Sequence, residues 1–494
     1  MGCSRAALNA LPYNICTRFT LIVSMNRKSI YIIFAAIVAL CFGCIEDRIS
    51  TSPSDQPDFS VDTLNFGVVY TGELTEVYSF VVYNRHNRGI IISDISMAGE
   101  NASMFRLNVD GLTGDSFKDT EIRANDSIFV FVEAILPENG VSEPKEVNAN
   151  VNFLTNGVSS SVLVSAFGQD INRLKGEIID ADRRLPADKP YRVIDSLVVA
   201  EGATLTIEEG VRLLCHDKTK IIVRGRLVSE GTVENPVYIT GDRVGEVIPD
   251  VSFDIMSRQW DGIEIWPTSY DNCMQYTEVS NTSYGVSLFG YGDDLERAKL
   301  RLINCKLRNS GEYVLVAYNA SIEAVGCEFA EAAYGLVYMV GGWHRFDQCT
   351  AANNYLFAAV QGSAWTFIDP ANVEGCEDFA VTQALVTNSI THGYGGDVTP
   401  GDLTGYDIYF NRCSFKSAGT DDDNFINSLW ECDPLFYTER EKYYFDYRLK
   451  PDSPAITAAD PELRLPLVDC DFYGVKRSNE IGAYSYVAPP EESK

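Results

Sequence analysis

Asn304-Cys305-Lys306-Leu307-Arg308-Asn309, Gly326-Cys327-Glu328-Phe329-Ala330-Glu331 and Gln348-Cys349-Thr350-Ala351-Ala352-Asn353 are three versions of one word, with cysteines 22 residues apart. Weaker copies are Thr277-Glu278-Val279-Ser280-Asn281, Asn388-Ser389-Ile390-Thr391-His392 and Cys413-Ser414-Phe415-Lys416-Ser417. A period of this length, built of short β runs without helical periodicity, marks a solenoid of strands. Each coil lays its strand about 4.8 Å from that of the coil before. Alternation then points Cys305 and Leu307 inward, to stack in columns on neighbouring coils, where cysteine packs as a small hydrophobe. An Asn at a bend is expected to pair with the Asn one coil on.

Working outward, the whole chain is folded in composition and acidic in charge. It has 494 residues, 46% hydrophobic and 22% charged, with 40 basic and 69 acidic side chains and a net charge of −29. That balance argues against gripping phosphates or anionic lipid electrostatically, so no nucleic-acid partner is expected. Residues 1–43 hold four basic and no acidic residues, which leaves the remainder at −33. Asn26-Arg27-Lys28 and the apolar run Ile30 to Phe42 have the order of a secretory signal, with a start at Met25 as well as at Met1. The apolar run is too short to span a membrane comfortably.

The end of that run, Leu40-Cys41-Phe42-Gly43-Cys44, resembles a bacterial lipobox, although Phe42 stands where a small residue is usual. The resemblance implies acylation of Cys44, and two or more chains hold a protein stably in a membrane. Glu46-Asp47 resembles the export signal of Bacteroidota surface lipoproteins, which implies an outer-membrane protein facing the exterior. Residues 44–58 read as the lipidated Cys and its tether.

Residues 59–170 show short β runs such as Val77 to Tyr83 and Ile128 to Val132, broken by turn signals such as Asn139-Gly140 and Asn156-Gly157. This is the pattern of an antiparallel sandwich. Leu64 to Gly72, Asn84 and Ala166-Phe167-Gly168 resemble the immunoglobulin-like domains of the abnormal-spindle/hydin type, which serve as spacers or binding modules.

Val198 to Gly210, Gly225 to Thr232 and Trp260-Asp261-Gly262-Ile263 resemble the first coils of right-handed parallel β-helix proteins, the pectate-lyase-like solenoids. Asp433-Pro434-Leu435-Phe436, Tyr447 to Ile456 and Ile481-Gly482-Ala483-Tyr484 resemble the closing segment of choice-of-anchor surface β-helices, although Asp471-Phe472-Tyr473-Gly474 departs from the usual Asp-Gly-Asn word. The expected fold is therefore all-β, with the helix over 171–445, its closing segment over 446–487 and a tail over 488–494.

Such helices host polysaccharide lyases and glycoside hydrolases, which need a base or a spaced pair of carboxylates on an exposed face. No catalytic residue is identified. Thr391-His392-Gly393 and Arg448-Leu449-Lys450 look like words of the polygalacturonases, but no Asn-Thr-Asp word precedes either. Asp293-Asp294-Leu295-Glu296 and Asp421-Asp422-Asp423 lie beside turn residues, and the second run is a Ca²⁺ candidate with no defined loop spacing. The four histidines, His86, His216, His344 and His392, show no zinc spacing. No cofactor is expected beyond that Ca²⁺.

Tyr284, Tyr313, Tyr334 and Tyr355 recur at similar phase, and Trp266, Trp343 and Trp365 fall in the same region, so exposed rings there would stack on sugar faces. Arg297, Lys299, Arg301, Lys306 and Arg308 form the densest basic stretch, suited to an acidic polysaccharide. The nine cysteines after Cys44 are expected as buried thiols. Asp62-Thr63-Leu64, Asp126-Ser127-Ile128 and Asp195-Ser196-Leu197 resemble Bacteroidota O-glycosylation words. The functional expectation is a surface lipoprotein whose helix binds a glycan or a protein partner without catalysis. The alternative is a lyase or hydrolase acting on acidic polysaccharide.

Overall fold

The computed structural model describes residues 48–248, 251–290 and 297–488. Cys44, its leader and the acidic run Asp293 to Glu296 lie outside the described residues.

The first unit is a sandwich of two five-stranded sheets, as the alternating β runs required. One orders its strands 58–59, 78–83, 127–134, 105–109 and 112–114; the other runs 63–70, 158–169, 145–155, 90–98 and 116–122. Pairing is antiparallel except that Val158–Gln169 runs parallel to Thr63–Tyr70. Inward residues such as Phe80, Val130, Val151 and Phe153 fill the space between the sheets. Asn84 is buried, and its Nδ2 donates to the carbonyls of Arg88, Ile122 and Arg123, so one side chain ties a loop to a neighbouring strand.

The second unit is a parallel β-helix with three strands per coil, here assigned to faces A, B and C. Leu300–Ile303 (C), Lys306–Ser310 (A) and Leu315–Tyr318 (B) make one coil; Ile322–Val325, Glu328–Ala332 and Val337–Val340 make the next, each strand in parallel register with its predecessor. In the first coil a single strand, Tyr191–Val199, turns the A–B corner at Asp195, its two halves pairing with Arg212–Cys215 and Lys220–Val223. The interior is one continuous cluster of buried hydrophobic side chains. Cys305, Cys327, Cys349 and Cys413 stack at the C–A corner, with Leu307, Phe329 and Ala351 beyond them. All nine described cysteines are free thiols, seven of them buried.

From Asn272–Gln275 onward each coil turns from C to A on a residue with positive φ: Tyr276, Asn304, Gly326, Gln348, Asn388 and Arg412. Asn tolerates that conformation better than most residues, which accounts for the Asn before the cysteine in the repeat word. The corner asparagines do not pair with each other as expected. Their amides turn outward to hold the C-terminal segment.

That segment, from about residue 430, does more than close the end of the helix. It folds back along the outer side of face A as a strap. Phe436, Leu449, Ala455, Phe472, Ile481 and Ala483 pack on Ala330, Ala352 and Ile390. Asn304 Nδ2 donates to the Cys470 carbonyl (3.0 Å), Gln348 Nε2 to that of Glu480 (3.2 Å) and Asn388 Nδ2 to that of Asp460 (3.1 Å). Asn388 Oδ1 in turn accepts from the Asp460 amide at 2.8 Å.

Between the two units, Glu73 of the sandwich pairs with Arg173 and Arg192 of the helix, and Tyr70 Oη donates to the Asp242 carbonyl at 2.6 Å. Among the described residues no helix is long and apolar enough to cross a membrane.

Candidate functional site

A strand with one face inward offers its alternate side chains outward, so the three outer faces are the places to look. Face A is not available. Its outward column Glu278, Lys306, Glu328, Thr350 lies under the strap. Arg308 lies within salt-bridge range of Glu278, Glu328 and Glu331; Tyr484 donates to Glu328 and Tyr447 donates to Glu331. Burial raises the Glu331 carboxyl to about 8 despite the opposing pull of Arg308. A carboxylic acid with that shift would suit general acid catalysis in an open cleft, but here it is closed off by Tyr447.

The basic stretch does not form a patch. Lys306 and Arg308 face the strap, while Lys299 and Arg301 belong to face C, because one coil turn separates them. Lys299 is buried, its ammonium donating to the carbonyls of Trp266, Pro267 and Ser269. Arg301 pairs with Glu323 and Arg297 with Asp271. Clustering in sequence became dispersal and neutralisation in space.

Face B carries rings on its outer side. Phe289 and Tyr318 are register partners on successive coils, with ring centroids 5.9 Å apart and planes within 2°. Tyr338 lies 6.1 Å from Tyr318, Tyr313 lies 5.0 Å from Tyr338, and Tyr334 lies 6.2 Å from Tyr313. The five rings are all half-buried, each with one side in the packing and one toward solvent. Burial holds the hydroxyls of Tyr313, Tyr318 and Tyr338 above the usual phenol range, so they stay neutral. The neighbouring groups whose charge these tyrosines feel include one carboxylate, Glu312, and the Cys376 thiol. One coil earlier, Trp266 lies under Arg224 at 4.1 Å.

The expected stripe is thus partly assembled and partly scattered. Tyr313 and Tyr334 join the row. Tyr284 is 46% exposed at an earlier corner. Tyr355 is buried, and its hydroxyl shares a 2.7 Å hydrogen bond with Ser257, so it anchors the 243–259 insertion and offers no sugar-binding face. Trp365 is fully buried inside the helix against Phe329, Phe346 and Phe410. Trp343 is on face C, beside Arg345, Asp407 and Tyr409 along a shallow groove of about 540 Å³. Phe289, Tyr318 and Tyr338 had not been singled out. The usable signal was strand alternation: Val286-Ser287-Leu288-Phe289 and Leu315-Val316-Ala317-Tyr318 each place an aromatic at the last outward position.

The other expected chemistry resolves into structure. Asp421 Oδ1 accepts from the Ser428 amide and the Trp430 indole, and Asp422 Oδ1 from the amides of Asn424 and Phe425, while Asp423 is exposed. Among the described residues no three His, Cys, Asp or Glu converge to hold a metal. His392 packs its ring on Phe436, and Arg448 is bound to Asp446. His344 points into the helix interior, where burial lowers it to about 4. Toward the start of face B, Lys220 donates to Glu264 at 2.7 Å near Asp261, whose carboxyl is raised by burial.

No family model matches the chain, and no curated protein matches it. Among solved structures, the chain is similar over 25% of its length to a family 123 glycoside hydrolase from Clostridium perfringens, described for glycolipid glycan hydrolysis, at 12% identity and a TM-score of 0.18. The match covers 26% of that chain, and a likeness of that size decides neither fold nor function.

Proposed function

We propose that this chain is a surface lipoprotein, held in the outer membrane by acyl chains on Cys44, whose β-helix binds a glycan on face B without turning it over. The observation that carries the reading is the row Phe289, Tyr318, Tyr338, Tyr313 and Tyr334. The five rings cluster across three successive coils, one from the first and two from each of the next, and put apolar ring surface beside phenol hydroxyls, which suits the mixed apolar and hydroxyl surface of a saccharide chain. The sandwich, with the features of an immunoglobulin-like spacer, sets the helix away from the tether.

The test is retention of the full chain on a polysaccharide panel, with reducing ends and unsaturated-uronate absorbance followed in the same tubes. Retention without either product is expected, and it should weaken when Tyr318 and Tyr338 are both replaced by Ala. Product release would overturn the non-catalytic reading. For the anchor, fatty-acid labelling should vanish in Cys44→Ala; unchanged labelling removes the lipoprotein claim.

A second reading, hydrolysis or elimination on an acidic polysaccharide, is favoured by the Lys220–Glu264 pair and the raised Asp261 carboxyl beside Tyr284. Product release that survives Asp261→Asn and Glu264→Gln would dispose of that assignment.

A further inference from the structure

The strap encloses a cleft of its own, away from face B. It has a volume of about 240 Å³ and is lined by Tyr437, Tyr444, Tyr473, Asp446, Arg448 and Ser485, among others. The three tyrosines are 39–49% exposed. A side chain at the opposite extreme lies among them: Ser485 is 4% exposed, and its Oγ has no hydrogen-bond partner. An unsatisfied buried hydroxyl is costly unless something completes it.

The protonation pattern of the cleft narrows what that partner is. An ammonium can only donate, so the 2.9 Å bond from Lys306 Nζ uses the Tyr473 oxygen as acceptor and leaves its O–H to donate outward. Tyr444 is the reverse. Its O–H donates to Asp446 Oδ2 at 2.9 Å, so its oxygen faces the cleft as an acceptor. Arg448 gives Nε and Nη2 to Asp446, at 2.6 Å for Nη2, which neutralises both charges. Asp471 is likewise occupied by the amides of Tyr473, Val475 and Ser485. The cleft therefore offers fixed donors, fixed acceptors, one adaptable hydroxyl and three rings, and its formal charges sum to zero, Arg448 and Lys306 against Asp446 and Asp471.

We propose that this cleft binds a neutral saccharide, with a sugar ring against Tyr437 and Tyr473 and its hydroxyls on Tyr444, Ser485 and Tyr473. An acidic sugar would meet a guanidinium already paired and a second carboxylate, Asp471, next to it. The volume suits one sugar unit or a chain end more than a long polymer.

The experiment is calorimetric titration of the full chain with maltohexaose, cellohexaose, mannohexaose, xylohexaose and a galacturonate hexamer, at low and high salt. At least one neutral hexaose is expected to bind with a millimolar or tighter Kd that salt does not change. Tyr437→Ala with Tyr444→Ala should weaken it about tenfold, and Tyr473→Phe should weaken it less, with unchanged thermal unfolding in each. The strap variants should leave polysaccharide retention by the face B row unchanged. Absence of neutral binding, or salt-sensitive binding of galacturonate alone, overturns the proposal. Loss that follows the face B variant and spares the strap variants also overturns it, and leaves the face B reading standing.

Discussion

Faces A and B are built by the same coils, in the same parallel register, with the same inward columns, yet their outer sides are opposites. Face A is roofed by the strap and hides Lys306, Arg308, Glu328 and Glu331 in a charged layer. Face B is open and shows rings. The difference comes from the outward residues of the strands and from what lies across them: small outward residues on face A, Ala330 and Ala352, leave space that Tyr447, Leu449 and Ile481 of the strap fill. A solenoid face becomes a binding surface only where no other part of the chain covers it.

The contrast breaks most sharply at Arg308. Arg308→Ala would leave Glu278, Glu328 and Glu331 facing each other without their cation, and removing one partner of a buried charge set costs about 3–5 kcal/mol. Chemical denaturation should register that loss. If stability is unchanged, face A is not closed.

The next effect is a pH dependence. Glu331 is protonated up to about 8 in the folded chain but only up to about 4.5 when unfolded. Between those values the folded state binds the extra proton, so this group's stabilisation is full below 4.5 and is lost as pH rises through 8, at up to about 1.4 kcal/mol per pH unit. His344 and His392 work the other way, as their unfolded forms lose protons around 6.5, so melting measured from about pH 7.5 to 8 reads Glu331 with little contribution from either. Glu331→Gln should flatten that slope, and an unaltered slope would place the carboxyl in contact with water.

Asn388→Ala comes third. It deletes both bonds to the Asp460 backbone and puts a β-carbon residue of poorer fit at φ 47°. A cost of about 1–3 kcal/mol is expected, together with faster proteolysis after residue 430. Equal proteolysis would mean that the corner amides do not hold the strap.

Last comes Tyr318→Ala with Tyr338→Ala, a half-buried pair whose three ring contacts contribute about 0.5–1.5 kcal/mol each beyond area burial. Glycan retention, by contrast, should fall about tenfold. A large stability loss with unchanged retention would make the row a packing feature and dissolve the difference between the faces.

The solenoid was legible because a period of 22 and inward cysteines are local signals that every coil repeats. The corner asparagines were legible as bends, since Asn adopts positive φ more readily than most residues, whereas Tyr276, Gln348 and Arg412 meet the same demand without that signal. Their partners were not. A side-chain amide at a corner points either to the next coil or to the strap, and that choice depends on a segment more than 70 residues away. The same limit explains the basic stretch 297–308 and the tyrosine stripe: spacing placed them in one region, while the turn between faces C and A divided the cations, strand alternation turned Trp365 inward and the hydrogen bond to Ser257 tied Tyr355 down.

Composition, alternation and the repeat determined by themselves that this is an acidic, all-β chain with a sandwich before a solenoid, because alternation and period are properties of neighbours along the backbone. Only the tertiary structure decided which face is open, which charges are paired and which rings meet solvent. Coverage is set by contacts between distant segments, and no local pattern of residues encodes what another part of the chain will come to rest on it.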